Sequence, residues 1–297
     1  MTKIEIIEVG PRDGLQNQDA ILSTADKLAL IGKLVDAGAR RMEVASFVNP
    51  KRVPQMADAE AVTGGLPHGT GTEFIGLVLN ERGGERAIAS GIAELGVVAV
   101  ASDTFAMRNQ KQTSEESVEV SRAVIRMARA AGRRAQATIA VAFGCPFEGE
   151  VSLSRVVAMA KAIADAGPHE IAVADTIGVG VPAQVKAMLA ALQAEIPGMP
   201  LRCHFHNTRN TGIANAMAAV ESGVTRLDAS VGGIGGCPFA PAATGNIATE
   251  DLVYMLERSG FRTGYSLEKL GAMVPWLAER LNLDRLPAMV SRVPAFP

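Results

Sequence analysis

Eight short runs rich in β-branched residues alternate with longer Ala- and Leu-rich stretches, and this recurrence constrains the fold more than any other feature of the chain. The runs occupy residues 4–9, 41–46, 73–78, 97–101, 137–141, 170–174, 201–206 and 226–230. Helix-like stretches fill 24–37, 81–90, 115–131, 153–166, 182–195 and 210–222. Glycines punctuate their ends at Gly38, Gly91, Gly132, Gly167 and Gly223, where a left-handed residue can close a helix. Strand–helix alternation predicts parallel strands joined by right-handed crossovers. Eight such units over about 260 residues predict a closed (β/α)8 TIM barrel, with an open doubly wound sheet as the alternative. Aromatics are only 4% of the chain, and small residues suit helices lying close on a sheet. The expected division is a catalytic barrel over 1–260 and a helical extension over 261–297 packed on it. The extension carries helical patterns at 266–273 and 276–281.

Several function classes are disfavoured. Lys plus Arg is 29 and Asp plus Glu is 31, a net charge of −2, which argues against nucleic-acid binding through bulk positive charge. No apolar run reaches the roughly 18–20 residues of a membrane span, so no membrane partner is expected. The first residues enter a strand-like alternation directly, so no secretory leader is expected. Cys145, Cys203 and Cys237 form neither a CxxC zinc pattern nor a disulfide framework, which points to a reducing cytoplasm. The glycines make neither a P-loop nor a dinucleotide fingerprint, which disfavours NAD and direct ATP use.

The unusual polar residues fall at the carboxyl ends of the expected strands, the face on which barrel enzymes place their chemistry. His204 and His206 are two apart on one strand, so both imidazoles point to one face and can share a divalent ion. Hard ions also want oxygen donors, and Asp13 after the first strand and Asn246 past the eighth can supply them. Two histidines, an aspartate and an asparagine suit Mg2+ or Mn2+ better than structural zinc. Arg12, beside Asp13, can neutralise charge on a carbonyl or enolate oxygen, or form a structural ion pair with Glu43. Glu43 lies inside a strand, where a carboxylate is costly unless paired, and an orienting or proton-relay role is expected. Cys237 follows Gly232-Gly-Ile-Gly-Gly236, read as a mobile cover, and can act as proton donor or nucleophile. Cys145 and Cys203 are read as structural. Arg108 and Lys111, in a loop expected after the fourth strand, either meet a phosphorylated substrate or are simply solvated.

These residues resemble the hydroxymethylglutaryl-CoA lyases, a branch of barrel metalloenzymes that make or break carbon–carbon bonds. The resemblance runs from Val9-Gly-Pro-Arg-Asp-Gly-Leu-Gln-Asn17 through Ser46-Phe-Val-Asn-Pro50 and Asp175-Thr-Ile-Gly178 to Gly245-Asn-Ile-Ala-Thr-Glu250. The RDGLQ wording and the glycine loop with Cys237 are specific to the lyase branch, since the related synthases usually read RDGEQ and lack that loop. The resemblance implies Asp13, His204, His206 and Asn246 as metal ligands. It implies Arg12 as stabiliser of an enolate, Cys237 as a catalytic cysteine and Glu43 as a supporting carboxylate. Asp13, His206 or a water is implied as the base. The implied reaction is retro-Claisen cleavage of (S)-3-hydroxy-3-methylglutaryl-CoA to acetoacetate and acetyl-CoA, by a homo-oligomer acting on an acyl-CoA thioester. The chain departs from that pattern at Asn207-Thr-Arg209-Asn210, where Arg209 could read a differently placed carboxylate. A related substrate such as citramalyl-CoA is therefore an alternative. A condensing synthase or aldolase on the same barrel is a more distant one.

Overall fold

The computed structural model describes residues 2–236 and 245–294. The elements run β1 (Glu5–Glu8), a π-helical turn (Gly10–Gly14), α1 (Thr24–Ala37), β2 (Arg41–Ser46), α2 (Ala59–Gly64), β3 (Glu73–Val78), α3 (Glu81–Ala89) and β4 (Glu94–Val100). Next come α4 (Asp103–Gln110), α5 (Ser114–Ala130), β5 (Arg134–Ala140), α6 (Leu153–Ala164), β6 (Ile171–Asp175) and α7 (Pro182–Glu195). The last are β7 (Leu201–Phe205), α8 (Gly212–Glu221), β8 (Arg226–Ala229), α9 (Thr249–Arg258) and α10 (Leu267–Arg280). The strands pair in sequence order, all parallel, and β8 returns to β1 with Glu5 opposite Arg226, so the sheet closes into a barrel. This is the expected (β/α)8 architecture, and the open sheet is excluded.

Local chemistry explains the helix ends. Ser23 accepts from the Asp26 amide to start α1, and Thr113 and Glu116 form a reciprocal capping box at α5. Pro182 opens α7, where its missing N–H costs nothing. Gly38 closes α1 at φ 115°, and a Cβ there would lie 2.2 Å from the Gly264 carbonyl oxygen. Three expectations need correction. The two helical patterns after residue 261 form one helix, α10, with Pro275 inside it. The expected loop bearing Arg108 is the helix α4, closed by Lys111 in the left-handed region at φ 63°. The helix α9 has no counterpart among the expected helices. Among the described residues, no helix is long and apolar enough to cross a membrane.

The barrel interior is more polar than its apolar shell. Ile7, Val9 and Ile75 form a small apolar cluster separate from the main core. At the amino-terminal end of the strands Arg41, 1% exposed, donates to both Glu94 and Glu170, which are also buried. Arg202 lies 3.3 Å from Glu170 and 3.2 Å from Asp228. Burial lowers His169 to about 4. Burial opposes ionisation of Glu170, but Arg202 and Arg41 outweigh it and hold the carboxyl at about 2. Removing one partner from such a group strands buried charge. Arg41→Ala should therefore lower unfolding stability by about 3 kcal/mol or more. Urea denaturation checks this, the expected result being a lower midpoint with an unchanged slope.

Candidate active site

The π-helical turn after β1 fixes the first half of the site. The amides of Arg12, Asp13 and Gly14 all donate to the Val9 carbonyl, which winds the chain tightly. Gly14 has no room for a side chain, because a Cβ would meet Ile234 at 2.6 Å. The turn brings Arg12 against Glu43, whose strand shifts register between Glu43 and Ala45. Arg12 donates from Nε to Glu43 Oε1 at 2.6 Å and from Nη2 to Oε2 at 3.0 Å. Its Nη1 donates to Asp13 Oδ1 at 2.7 Å. This fork-on-carboxylate geometry is the strong form of the pair.

The second half comes from β7 and the segment past β8. His204 and His206 share a face with ring centroids 5.1 Å apart. Ligand atoms of Asp13, His204 and His206 all lie within 4.8 Å of one another. Asn246 reaches them because its segment pairs with the end of β7: the Ile247 amide donates to the Phe205 carbonyl at 3.1 Å. Asn246 Nδ2 donates to Asp13 Oδ2 at 2.8 Å and to the Ile234 carbonyl at 3.2 Å. Gly235, at φ 137°, is pressed so close that a Cβ would lie 2.5 Å from Asn246 Nδ2.

The electrostatics separate the two imidazoles. Burial would lower His204, but the hydrogen bond and charge of Asp228, Oδ2 at 3.1 Å from Nδ1, outweigh it and raise the pKa. His206 has no such partner among the described residues, and burial with the neighbouring His204 lowers it to about 3. Asp13 feels burial upward, but Arg12 and both histidines pull it down to about 2. Asp13 is thus an anion facing two imidazoles.

A divalent ion fits this donor set. Among the described residues, His206 Nδ1 and Asn246 Oδ1 are buried without hydrogen-bond partners, an arrangement that costs free energy unless something else satisfies them. Asp228 occupies Nδ1 of His204 and leaves Nε2 for a ligand role, as a supporting carboxylate does at metal sites. A second cluster, Glu94, His169 and Glu170, is equally compact. There the Arg41 guanidinium already supplies the cation, so the cluster needs no ion.

The group opens into a cavity of about 170 Å3 lined by Arg12, Asp13, Glu43, His204, His206 and Gly236. Thr176, within the Asp175-Thr-Ile-Gly178 segment, also lines it, as do Asn109, Gln136 and Asp228, which no sequence pattern had singled out. Asp228 carried a usable signal: like Glu43, it is a carboxylate inside a buried parallel strand. Arg209 is not among the residues lining this cavity. It is exposed, donates to the Ile177 and Gly178 carbonyls, and lines a second cavity of about 500 Å3 that Asn246 also lines. Arg108 stacks over Phe147, 4.1 Å from the ring centre. Cys145 and Cys203 are buried free thiols. Cys237 lies outside the described residues. The preceding glycines are not simply loose: Gly232 sits at φ 70° with its amide on Glu250, and the Gly233 amide donates to Ser230.

Comparison with known proteins agrees with this geometry. The family model described as HMGL-like matches residues 3–274. The chain is 40% identical over 280 residues to hydroxymethylglutaryl-CoA lyase YngG of Bacillus subtilis, covering 94% of both chains. It is 43% identical over 309 aligned residues to the (R)-citramalyl-CoA lyase of Chloroflexus aurantiacus, covering 100% of this chain and 97% of the relative. An HMG-CoA lyase from Acinetobacter baumannii, solved with coenzyme A and 3-methylmalate, superposes with a TM-score of 0.93 at 36% identity, covering 99% and 98% of the two chains.

His206→Ala should weaken Mn2+ binding by at least about tenfold, since even supporting partners of metal ligands are worth about 10–100-fold. Asp228→Asn should weaken it less, by freeing the His204 ring. Calorimetric titration of the purified protein with Mn2+ measures both. Unchanged affinity in His206→Ala contradicts the site.

Proposed function

The chain belongs to the HMGL-like family, and from that premise we propose that it is a divalent-metal-dependent carbon–carbon lyase cleaving (S)-3-hydroxy-3-methylglutaryl-CoA to acetoacetate and acetyl-CoA. The observation that carries this reading is the convergence of Asp13, His204 and His206 in one cavity with the Arg12–Glu43 pair. Asp13, His204, His206 and Asn246 would hold the ion, with Mg2+ or Mn2+ matching the mixed nitrogen and oxygen donors. When bound, such an ion acts as a Lewis acid that lowers the pKa of a substrate hydroxyl.

The chain's own residues do the rest. The base that removes the hydroxyl proton is Asp13 or His206. Loss of that proton turns the C3 hydroxyl into a carbonyl as the C2–C3 bond breaks, and the bond's electron pair moves into the thioester as an enolate. Arg12 has five N–H groups and spends three on Glu43 and Asp13, which leaves two for the enolate oxygen. Glu43 holds the guanidinium plane in place while it does so. A proton delivered to C2 completes acetyl-CoA. Cys237, next in sequence to the cavity-lining Gly236, is the proposed donor, because a thiol is a far stronger acid than a serine hydroxyl. This reading places a homo-oligomeric enzyme in the cytoplasm, where Cys145 and Cys203 stay reduced.

The 43% identity to a citramalyl-CoA lyase favours one second reading, the same chemistry on citramalyl-CoA. Assay of hydroxymethylglutaryl-CoA and citramalyl-CoA side by side with added Mg2+ decides between them, and turnover of neither overturns both. On the preferred substrate, Arg12→Gln should lower kcat by at least about a hundredfold, the scale of losing one donor to a developing oxyanion. KM should change little, because the charge develops in the transition state. A raised KM with unchanged kcat would reduce Arg12 to substrate binding.

A further inference from the structure

Glu8 ends β1 with no exposure to solvent, and it forms no ion pair with any described residue. Its Oε1 accepts from the amides of Gly10 at 2.8 Å and Val231 at 2.9 Å. Its Oε2 accepts from the Thr249 hydroxyl at 2.6 Å. These donors belong to three different segments. Gly10 opens the turn that carries Arg12 and Asp13. Val231 opens the glycine segment that leads to Cys237. Thr249 begins α9, three residues after Asn246. A second buried carboxylate, Glu250, reinforces the middle contact: both its oxygens accept from the Gly232 amide, at 3.0 and 2.9 Å. Neither glutamate lines the cavity.

A buried acid without a cation is a costly way to fill space. Burial pushes Glu8 up to about 7 and Glu250 up to about 8. The hub around Glu8 tolerates either protonation state. Oε1 keeps its two amides, and the Thr249 hydroxyl can donate to a carboxylate or accept from an acid. An apolar residue would fill the same volume at no such cost, but it would hold none of the three segments to the others.

We propose that Glu8 is a positioning residue: its single carboxylate sets the register between the Arg12–Asp13 turn, the glycine segment leading to Cys237 and the segment bearing Asn246 that enters α9. The kinetic part of this inference rests on the lyase reading, and the ion-binding part does not.

The test uses the full chain with four variants, each followed by melting temperature, Mn2+ titration, and kcat and KM on the acyl-CoA substrate. Glu8→Ala should lower kcat by about a hundredfold, the cost of displacing catalytic groups by about 1 Å, and should weaken Mn2+ binding while KM stays close to wild type. Glu8→Gln keeps an oxygen for the two amides and an N–H for Thr249, and should restore both properties. Thr249→Val severs one link of three and should show a smaller loss of the same kind, about fivefold for one hydrogen bond. It carries the test if Glu8→Ala does not fold. Glu94→Gln, at the opposite end of the barrel, should lower the melting temperature while kcat per folded molecule and Mn2+ affinity stay unchanged. The proposal is overturned if Glu8→Ala, or Thr249→Val in its place, merely melts earlier like Glu94→Gln, with Mn2+ affinity and kcat intact. If the wild type cleaves no acyl-CoA, the lyase reading fails, and the Mn2+ titrations still decide whether Glu8 positions the cluster.

Discussion

A column of alternating charges inside the barrel ties its two ends together. It starts at Glu94 and Arg41, passes through Glu170, Arg202 and Asp228, and reaches His204 beside Asp13, Arg12 and Glu43. Each buried group is tolerable only because its neighbour carries the opposite charge or a hydrogen bond. The interior spends little of its volume on apolar packing, so the surrounding helices carry the hydrophobic stabilisation. The sheet positions the charges, and the helix layer keeps the sheet closed around them.

The column has a direction. Asp228 receives Arg202 on one oxygen and His204 on the other, so the orientation of the His204 ring depends on a salt bridge deeper in the barrel. His206, one strand period further, has nothing comparable on Nδ1. Two histidines adjacent on the same face therefore differ in pKa direction for a visible reason: one leans on a carboxylate, and the other is desolvated next to a neighbouring imidazole.

Much of this was legible in the chain. The bounds of α1, β2, β3 and α7 coincide with those expected, because caps, glycines and β-branched runs mark them locally. His204 and His206 were legible because a strand's two-residue period forces both onto one face. Glu43 was legible because a carboxylate within a buried parallel strand needs a partner. Partners on distant strands were not. Nothing local in β5 says that Gln136 lines the cavity, and nothing near β8 says that Asp228 carries His204. Arg209 lies off the main cavity because its guanidinium bonds the carbonyls of Ile177 and Gly178 after β6, a contact between distant segments that its own neighbourhood does not announce. The patterns at 266–273 and 276–281 are one helix, because α10, packed on α1, runs through Pro275.

The two ends of the barrel are built from the same residue types and do different work, and charge pairing explains the difference. At the amino-terminal end Glu94 and Glu170 meet donors on Arg41, and the Arg202 and Arg226 guanidiniums, some of whose buried nitrogens make no hydrogen bond among the described residues, still face Glu170 at 3.3 Å. At the carboxyl-terminal end Asp13 already has Arg12 and Asn246, yet among the described residues His206 Nδ1 and Asn246 Oδ1 remain buried and unpaired beside it. Unmet polar groups of this kind are expensive in a folded core. They persist here in a neighbourhood where turns, glycines and a strand end over-determine the backbone: Gly14 is too crowded for a Cβ, and Gly235 is held against Asn246. Unpaired polar atoms persist where the surrounding structure fixes them, and such places are where a ligand can be bound selectively. The closed end thus sets stability and the open end sets chemistry.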